Sequence, residues 1–181
     1  MAAYAPQGFG NYLKRHIFDL LPFKSVNYTN ITAKDPKKEV ARYESILKAY
    51  PIDICILGIG KNGHIAFNAP NEAGFNDIHF VKLVHLDDVC RQQQVNDGCF
   101  SNISKVPVYT IPVTILGPLR AKAMFCIVPT SNKANAVKRM LGGIINESCP
   151  YIILQGKKIV KNFISIPTLY HNYKKFKQLV H

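Results

Sequence analysis

The chain has 181 residues, the size of one domain of roughly 100–200 residues. Hydrophobic residues make up 48% of it and the mean hydropathy is near zero, which is enough for a real core and excludes a disordered chain. No apolar run approaches the roughly 18–20 residues of a membrane span, whereas a net charge of +12 raises the prospect of nucleic acid or another anionic partner.

That charge is uneven. Lys157, Lys158, Lys161, Lys174, Lys175 and Lys177 fall in residues 157–181 with no acid among them. The N-terminal residues Met1 to Pro6 have no basic start and no apolar stretch, so no signal peptide is expected and the reading is cytoplasmic. The five cysteines, Cys55, Cys90, Cys99, Cys126 and Cys149, form no C-x-x-C pair and read as reduced thiols, with no metal site expected.

In chain order, Tyr12, Leu13, Ile17, Leu20 and Leu21 recur at helical spacing and predict a helix over 10–21, stopped by Pro22. Residues 26–31 are short and β-rich. Pro36 suits the first turn of a second helix carrying Val40, Tyr43, Ile46 and Leu47 and ending before Pro51. The apolar run 53–57 predicts a buried parallel strand, and a glycine-rich turn follows it. Residues 80–86 alternate like a strand, 89–95 suit a helix, 109–115 read as strand or turn, and 123–128 as a buried strand. Residues 131–141 predict an amphipathic helix closed by Gly142 and Gly143, and 151–154 a last short strand. Strands alternating with helices imply a mostly parallel α/β sheet.

The informative segment is Gly58-Ile-Gly60-Lys-Asn62-Gly63-His64-Ile-Ala-Phe-Asn68-Ala69-Pro70. Gly58, Gly60 and Gly63 spell G-x-G-x-x-G after a strand, which suggests a dinucleotide-binding turn. That fingerprint opens a long helix, however, and here Pro70 arrives within seven residues of Gly63, with no clearly placed ribose-binding acid beyond it. A second reading is physical too. Glycines at the carboxyl end of a parallel strand let backbone N–H groups approach an anion, and a histidine just past them can move protons near neutral pH. A plain turn histidine satisfied by hydrogen bonds is the competing reading of His64.

The segment resembles the active-site signature of the glucosamine-6-phosphate deaminase/isomerase family, related to the 6-phosphogluconolactonases. The resemblance extends in order through Ala5-Pro-Gln-Gly-Phe-Gly10-Asn, Phe75-Asn-Asp, Leu86-Asp-Asp, Cys90-Arg-Gln-Gln-Gln-Val-Asn-Asp-Gly-Cys-Phe100, Val106-Pro107 and Cys149-Pro150, covering residues 5–155. It implies a three-layer, Rossmann-like parallel α/β sheet over 1–155, lacking the family's N-terminal strands, followed by a basic tail at 156–181. It also implies conversion of an amino-sugar 6-phosphate to fructose 6-phosphate and ammonia, with no cofactor and no metal. His64 matches the family's ring-opening histidine, Asn62 the aspartate or asparagine of the turn, and Lys133 the lysine that grips the phosphate. Gly58, Gly60 and Gly63 would cradle the substrate, and Arg91 would bind substrate, face a neighbouring subunit or sit on a solvated helix face.

Three departures temper that expectation. The family places a carboxylate beside the motif proline to orient the histidine, and this chain has Ala69 there. The family's phosphate loop and its acidic pair, the general base, precede the region matched here. Beyond Gln155 the family's ending gives way to the lysine-rich tail. The alternatives are therefore an impaired or split enzyme, an inactive remnant or non-catalytic sugar-phosphate binder, and a nucleic-acid-associated protein acting through the tail. In that tail Phe163, Tyr170, Tyr173 and Phe176 interleave with lysines. A terminal helix packing these aromatics on the domain is the favoured reading, which disfavours nucleic acid as a partner. Whether the chain forms a homo-oligomer stays open. Without the family's N-terminal strands, the strand at 54–57 is expected to have an open edge.

Overall fold

A computed structural model of the chain describes residues 8–60, 63–68, 72–128, 133–155, 157 and the backbone of 160–164. The chain divides into two compact units, residues 1–45 with 83–111, and residues 46–82 with 112–181.

The first unit opens with α1 (Phe9–Leu13), which passes into a π-helical turn, Lys14–Phe18. The helix expected over 10–21 thus ends early: the backbone widens at Lys14, and Asp19 N–H already reaches back to Lys14 O at 2.9 Å. Residues 26–31, expected to be extended and β-rich, join no strand, because their polar groups serve the next helix instead. In α2 (Pro36–Ala49), Asp35 Oδ1 accepts from the N–H groups of Lys37 and Lys38 at 3.0 and 3.2 Å, and Pro36 stands where a missing N–H costs nothing. Glu39 then accepts from Asn30 N–H at 2.6 Å and from Arg42, while Arg42 donates to Tyr28 O at 2.8 Å. The Arg42 hydrogen bond holds the Glu39 carboxyl below the usual range against the opposing effect of burial. The two-residue strands β2 (Val84–His85) and β3 (Tyr109–Thr110) pair antiparallel. Between them α3 (Asp88–Asn96) is capped by Asp87, whose Oδ1 accepts from Cys90 N–H at 2.7 Å.

The second unit holds the parallel sheet. β1 (Ile54–Leu57) pairs with β4 (Ala123–Val128), and β4 pairs with β5 (Val160–Ile164), giving the order β1–β4–β5. The short α4 (Leu116–Leu119) leads into β4, and α5 (Ala134–Gly142) follows it. On one face of the sheet Met124, Cys126 and Val128 are fully buried against Ala136, Val137 and Met140 of α5 and against Tyr151 and Ile152. These apolar side chains sit on one stripe of α5, as a helix covering a sheet requires. On the opposite face Ile54, Ile56 and Ile127 are 61%, 70% and 46% exposed, so β1 is the expected parallel strand but not a buried one: only its Cys55 and Leu57 pack, partly buried, against the core. Among the described strands β1 stands at the sheet's edge.

Two expectations are corrected here. Residues 151–154 belong to a 3₁₀-helix, Pro150–Leu154, rather than to a strand. Pro150 begins it, and its tight turns drive Tyr151, Ile152 and Leu154 into the core. The lysine-rich segment is not helical at its start, since Val160–Ile164 is a strand in register with Met124–Val128. Branched Val160 and Ile164 favour the extended form, and the remaining residues of the proposed terminal helix, 165–181, lie outside the described residues. The five cysteines are free thiols, and burial pushes those of Cys90 and Cys126 up to about 11. Among the described residues no helix is long and apolar enough to cross a membrane.

Candidate active site

Leu57 at the end of β1 is the register partner of Cys126 near the end of β4. The two neighbouring parallel strands therefore leave the sheet at the same carboxyl edge, the place where open α/β sheets hold ligands. The loop after β1 carries the glycine turn and His64. The loop after β4 ends at Lys133, the N-cap residue of α5.

The glycines of the turn are not equivalent. Gly60 N–H donates to His64 O at 3.1 Å and Gly63 N–H to Gly60 O at 3.2 Å, which folds the turn back on itself. The His64 imidazole lies directly on Gly60: a Cβ there would stand 2.2 Å from Cε1 and 2.4 Å from Nδ1. Gly63 has φ +92°, and a Cβ on it would meet the Tyr151 ring at 2.5 Å. Tyr151 N–H in turn donates to Gly63 O at 3.1 Å, and its hydroxyl donates to Ala136 O in α5. Gly58 has no such constraint, since its Cβ would meet only Ile127 O at an ordinary 3.6 Å.

Burial, and after it the positive charge of Lys133, hold the His64 imidazole below its ordinary value. The ring is thus neutral near pH 7 and able to accept a proton. The charge of Lys133 also reaches Cys126, where it opposes the effect of burial on the thiol. Lys133 stands at a helix N-terminus, whose dipole favours an anion.

Beyond His64 the chain makes a tight turn, Ile65–Asn68, closed by Asn68 N–H to Ile65 O at 2.8 Å. Its central residues, Ala66 and Phe67, have φ of +51° and +63°. A left-handed backbone costs a residue with a side chain roughly 1–2 kcal/mol, so something must hold this turn. The Phe67 ring lies parallel to the His64 ring, at 2° with centroids 6.2 Å apart.

The structure therefore brings Gly58, Gly60, Gly63, His64 and Lys133 together in one unit at one sheet edge. Asn62 and Ala69 lie outside the described residues. Arg91 belongs to the other unit, where it donates to Asp88 Oδ1 at 2.9 Å and to Ile103 O at 2.8 Å and ties α3 to the turn after it. Sequence reasoning gave no role to Asn68 or Tyr151, although both stand in or beside motifs it singled out. A cleft of about 200 Å³ lined by Leu47, Ile52, Phe80 and Arg120 includes none of the site residues. Among the described residues no cluster of His, Cys, Asp or Glu is arranged to hold a metal.

Comparison with known proteins gives this geometry a family. A glucosamine-6-phosphate deaminase of Bacillus cytotoxicus is 38% identical over 144 residues, covering 80% of this chain and 53% of that protein. A glucosamine-6-phosphate deaminase of Streptococcus agalactiae serotype III is 35% identical over 156 residues, covering 86% and 64%. Among solved structures, a monomeric glucosamine-6-phosphate deaminase of the NagB superfamily superposes with a TM-score of 0.81 at 27% identity, over 94% of this chain and 70% of that one. The 6-phosphogluconolactonase of Thermotoga maritima shares the fold alone, with a TM-score of 0.68 at 19% identity over 91% and 67%. No family model matches the chain.

The fold is that of the sugar-phosphate deaminases and 6-phosphogluconolactonases. Within it, the chain is a relative of the glucosamine-6-phosphate deaminases, as the signature around His64 implied. It spans 53–64% of the length of the curated relatives it matches.

Proposed function

We propose that the site binds an amino-sugar 6-phosphate, of the glucosamine 6-phosphate kind, and acts on it as a deaminase/isomerase. The observation that carries this reading is the pairing of a half-buried, neutral imidazole with a lysine at a helix N-terminus, on adjacent loops of one sheet edge. The sugar phosphate named for the relatives has the matching parts. Its phosphate suits Lys133 and the first turn of α5. Its anomeric hydroxyl suits His64.

In this reading the imidazole takes the anomeric proton as the bond from C1 to the ring oxygen breaks. A proton is returned to the ring oxygen, so ring opening is neutral overall. The open-chain amino sugar then isomerises, and with water it yields fructose 6-phosphate and ammonia. Ala69 supplies no carboxylate to support the imidazolium that forms in passing, so turnover is expected below the typical median of about 10 per second. The five free thiols suit a reducing, cytoplasmic setting.

The test is ammonia release from glucosamine 6-phosphate near neutral pH, together with calorimetric titration by fructose 6-phosphate. Slow turnover with product binding that weakens in Lys133→Ala supports the reading. Absence of both turnover and binding, or equal binding by wild type and Lys133→Ala, removes it.

A further inference from the structure

Besides the backbone bond that closes it, the left-handed pair Ala66–Phe67 is tied to the rest of the unit by one side chain. Asn68 is 1% exposed, and its Nδ2 donates at 2.8 Å both to Ile65 O, across the turn, and to Val113 O, far off in sequence. Val113 is itself fixed. It bridges to Val81, with Thr114 N–H donating to Phe80 O at 2.8 Å and the Thr114 hydroxyl to His79 O at 2.6 Å. Asn68 Oδ1 is buried with no partner among the described residues. An amide kept in the core at that expense is there for its two donations.

We infer that Asn68 is the positioning residue of His64: it clamps the left-handed turn to the 80–82/112–114 ladder, and the turn lays the Phe67 ring parallel to the imidazole. His64 is then enclosed on two sides, by Gly60 beneath it and by Phe67 beyond it. Neither the resemblance nor the signature assigns Asn68 this task. The inference rests on the proposed role of His64, but its test does not need turnover.

The experiment follows the His64 ring by NMR titration in the wild type, Asn68→Ala, Asn68→Asp and Phe67→Ala, with fructose 6-phosphate binding and ammonia release measured on each. Lys133 is the charged group known to act on this ring, and it is left intact. Losing both donations frees the turn and solvates the imidazole, so its pKa rises toward the ordinary value in Asn68→Ala. The isosteric Asn68→Asp turns acceptors toward two carbonyls and is expected to do the same. Phe67→Ala, which leaves the clamp in place, gives a smaller rise. Turnover falls by up to about 10²-fold, the cost of misplacing a catalytic group by about 1 Å, while product affinity, which rests on Lys133, changes little. A folded Asn68→Ala or Asn68→Asp with an unchanged His64 titration overturns the inference. Should both unfold, an unchanged titration in Phe67→Ala overturns it equally. A wild type that neither binds product nor releases ammonia, yet shows the shifted titrations, removes the proposed function and leaves the positioning intact.

Discussion

The imidazole of His64 occupies the space that a side chain on Gly60 would fill, with 2.2 Å between Cε1 and the position of a Cβ. That contact is too close for any real carbon pair, so Gly60→Ala must move the ring rather than compress it. Gly60→Ala is expected to swing His64 toward solvent, raise its pKa, and cost about 1–3 kcal/mol of stability through overpacking. Gly58→Ala, with 3.6 Å of room, is expected to leave both quantities alone. Urea melts and His64 titration of the two variants check this. Equal behaviour would contradict the packing described.

Gly63 carries a different constraint, one of backbone and ring together. Its φ of +92° is unfavourable to any residue with a Cβ, and Tyr151 fills the adjacent space. Gly63→Ala is expected to destabilise the second unit by about 2–4 kcal/mol, adding conformational cost to overpacking. Tyr151→Phe keeps the ring and loses only the hydrogen bond to Ala136 O, for about 0.5–1.5 kcal/mol. Thermal melts of both variants test the order. A milder Gly63→Ala than Tyr151→Phe would refute it.

Much of this was legible in the sequence because it is local. The run Asp53-Ile-Cys-Ile-Leu57 followed by spaced glycines, the proline-started α2, and α5 with its closing glycines all declare themselves within a few residues. What was not legible depends on distant partners. Asn68 gains its role from Val113, 45 residues on, and Gly63 from Tyr151. Residues 26–31 had the composition of a strand but no partner to pair with. The strand Val160–Ile164 was hidden by lysines that suggested a solvated helix, and only the free edge of β4 makes it extended. The apolar residues of Pro150–Leu154 fit strand and 3₁₀-helix equally by composition, so the wrong element was expected there.

The depressed His64 gives a pH dependence with a definite sign. Its folded value lies below the ordinary 6.5, chiefly through burial and secondly through Lys133. Below about pH 6.5 the unfolded chain binds more protons at this residue than the folded one, so stability falls as pH drops through that window. Above it both states are neutral and His64 contributes no dependence. Lys133→Met is expected to raise the His64 value part of the way, since burial remains, and to flatten the acid limb slightly. Denaturation at several pH values between 5 and 8 measures this. An acid limb unchanged by His64→Gln would assign the dependence to other groups.

The exposed face of the sheet offers the sharpest contrast between two sides of one strand pair. Side chains alternate across a strand, so Ile54 and Ile56 of β1 point away from the α5 core that buries Met124. An edge strand with branched apolar side chains in water promotes pairing with other chains. Ile56→Thr keeps the β-branched shape and gives up little burial at a residue 70% exposed, so its stability is expected to stay within about 0.5 kcal/mol of wild type. The same change should raise the concentration at which the protein begins to aggregate, because it breaks an apolar stripe. Met124→Ala, at 0% exposed on the covered face, is expected to cost about 2–5 kcal/mol. Chemical denaturation paired with light scattering distinguishes the two. If Ile56→Thr proves as costly as Met124→Ala, that face is covered in solution.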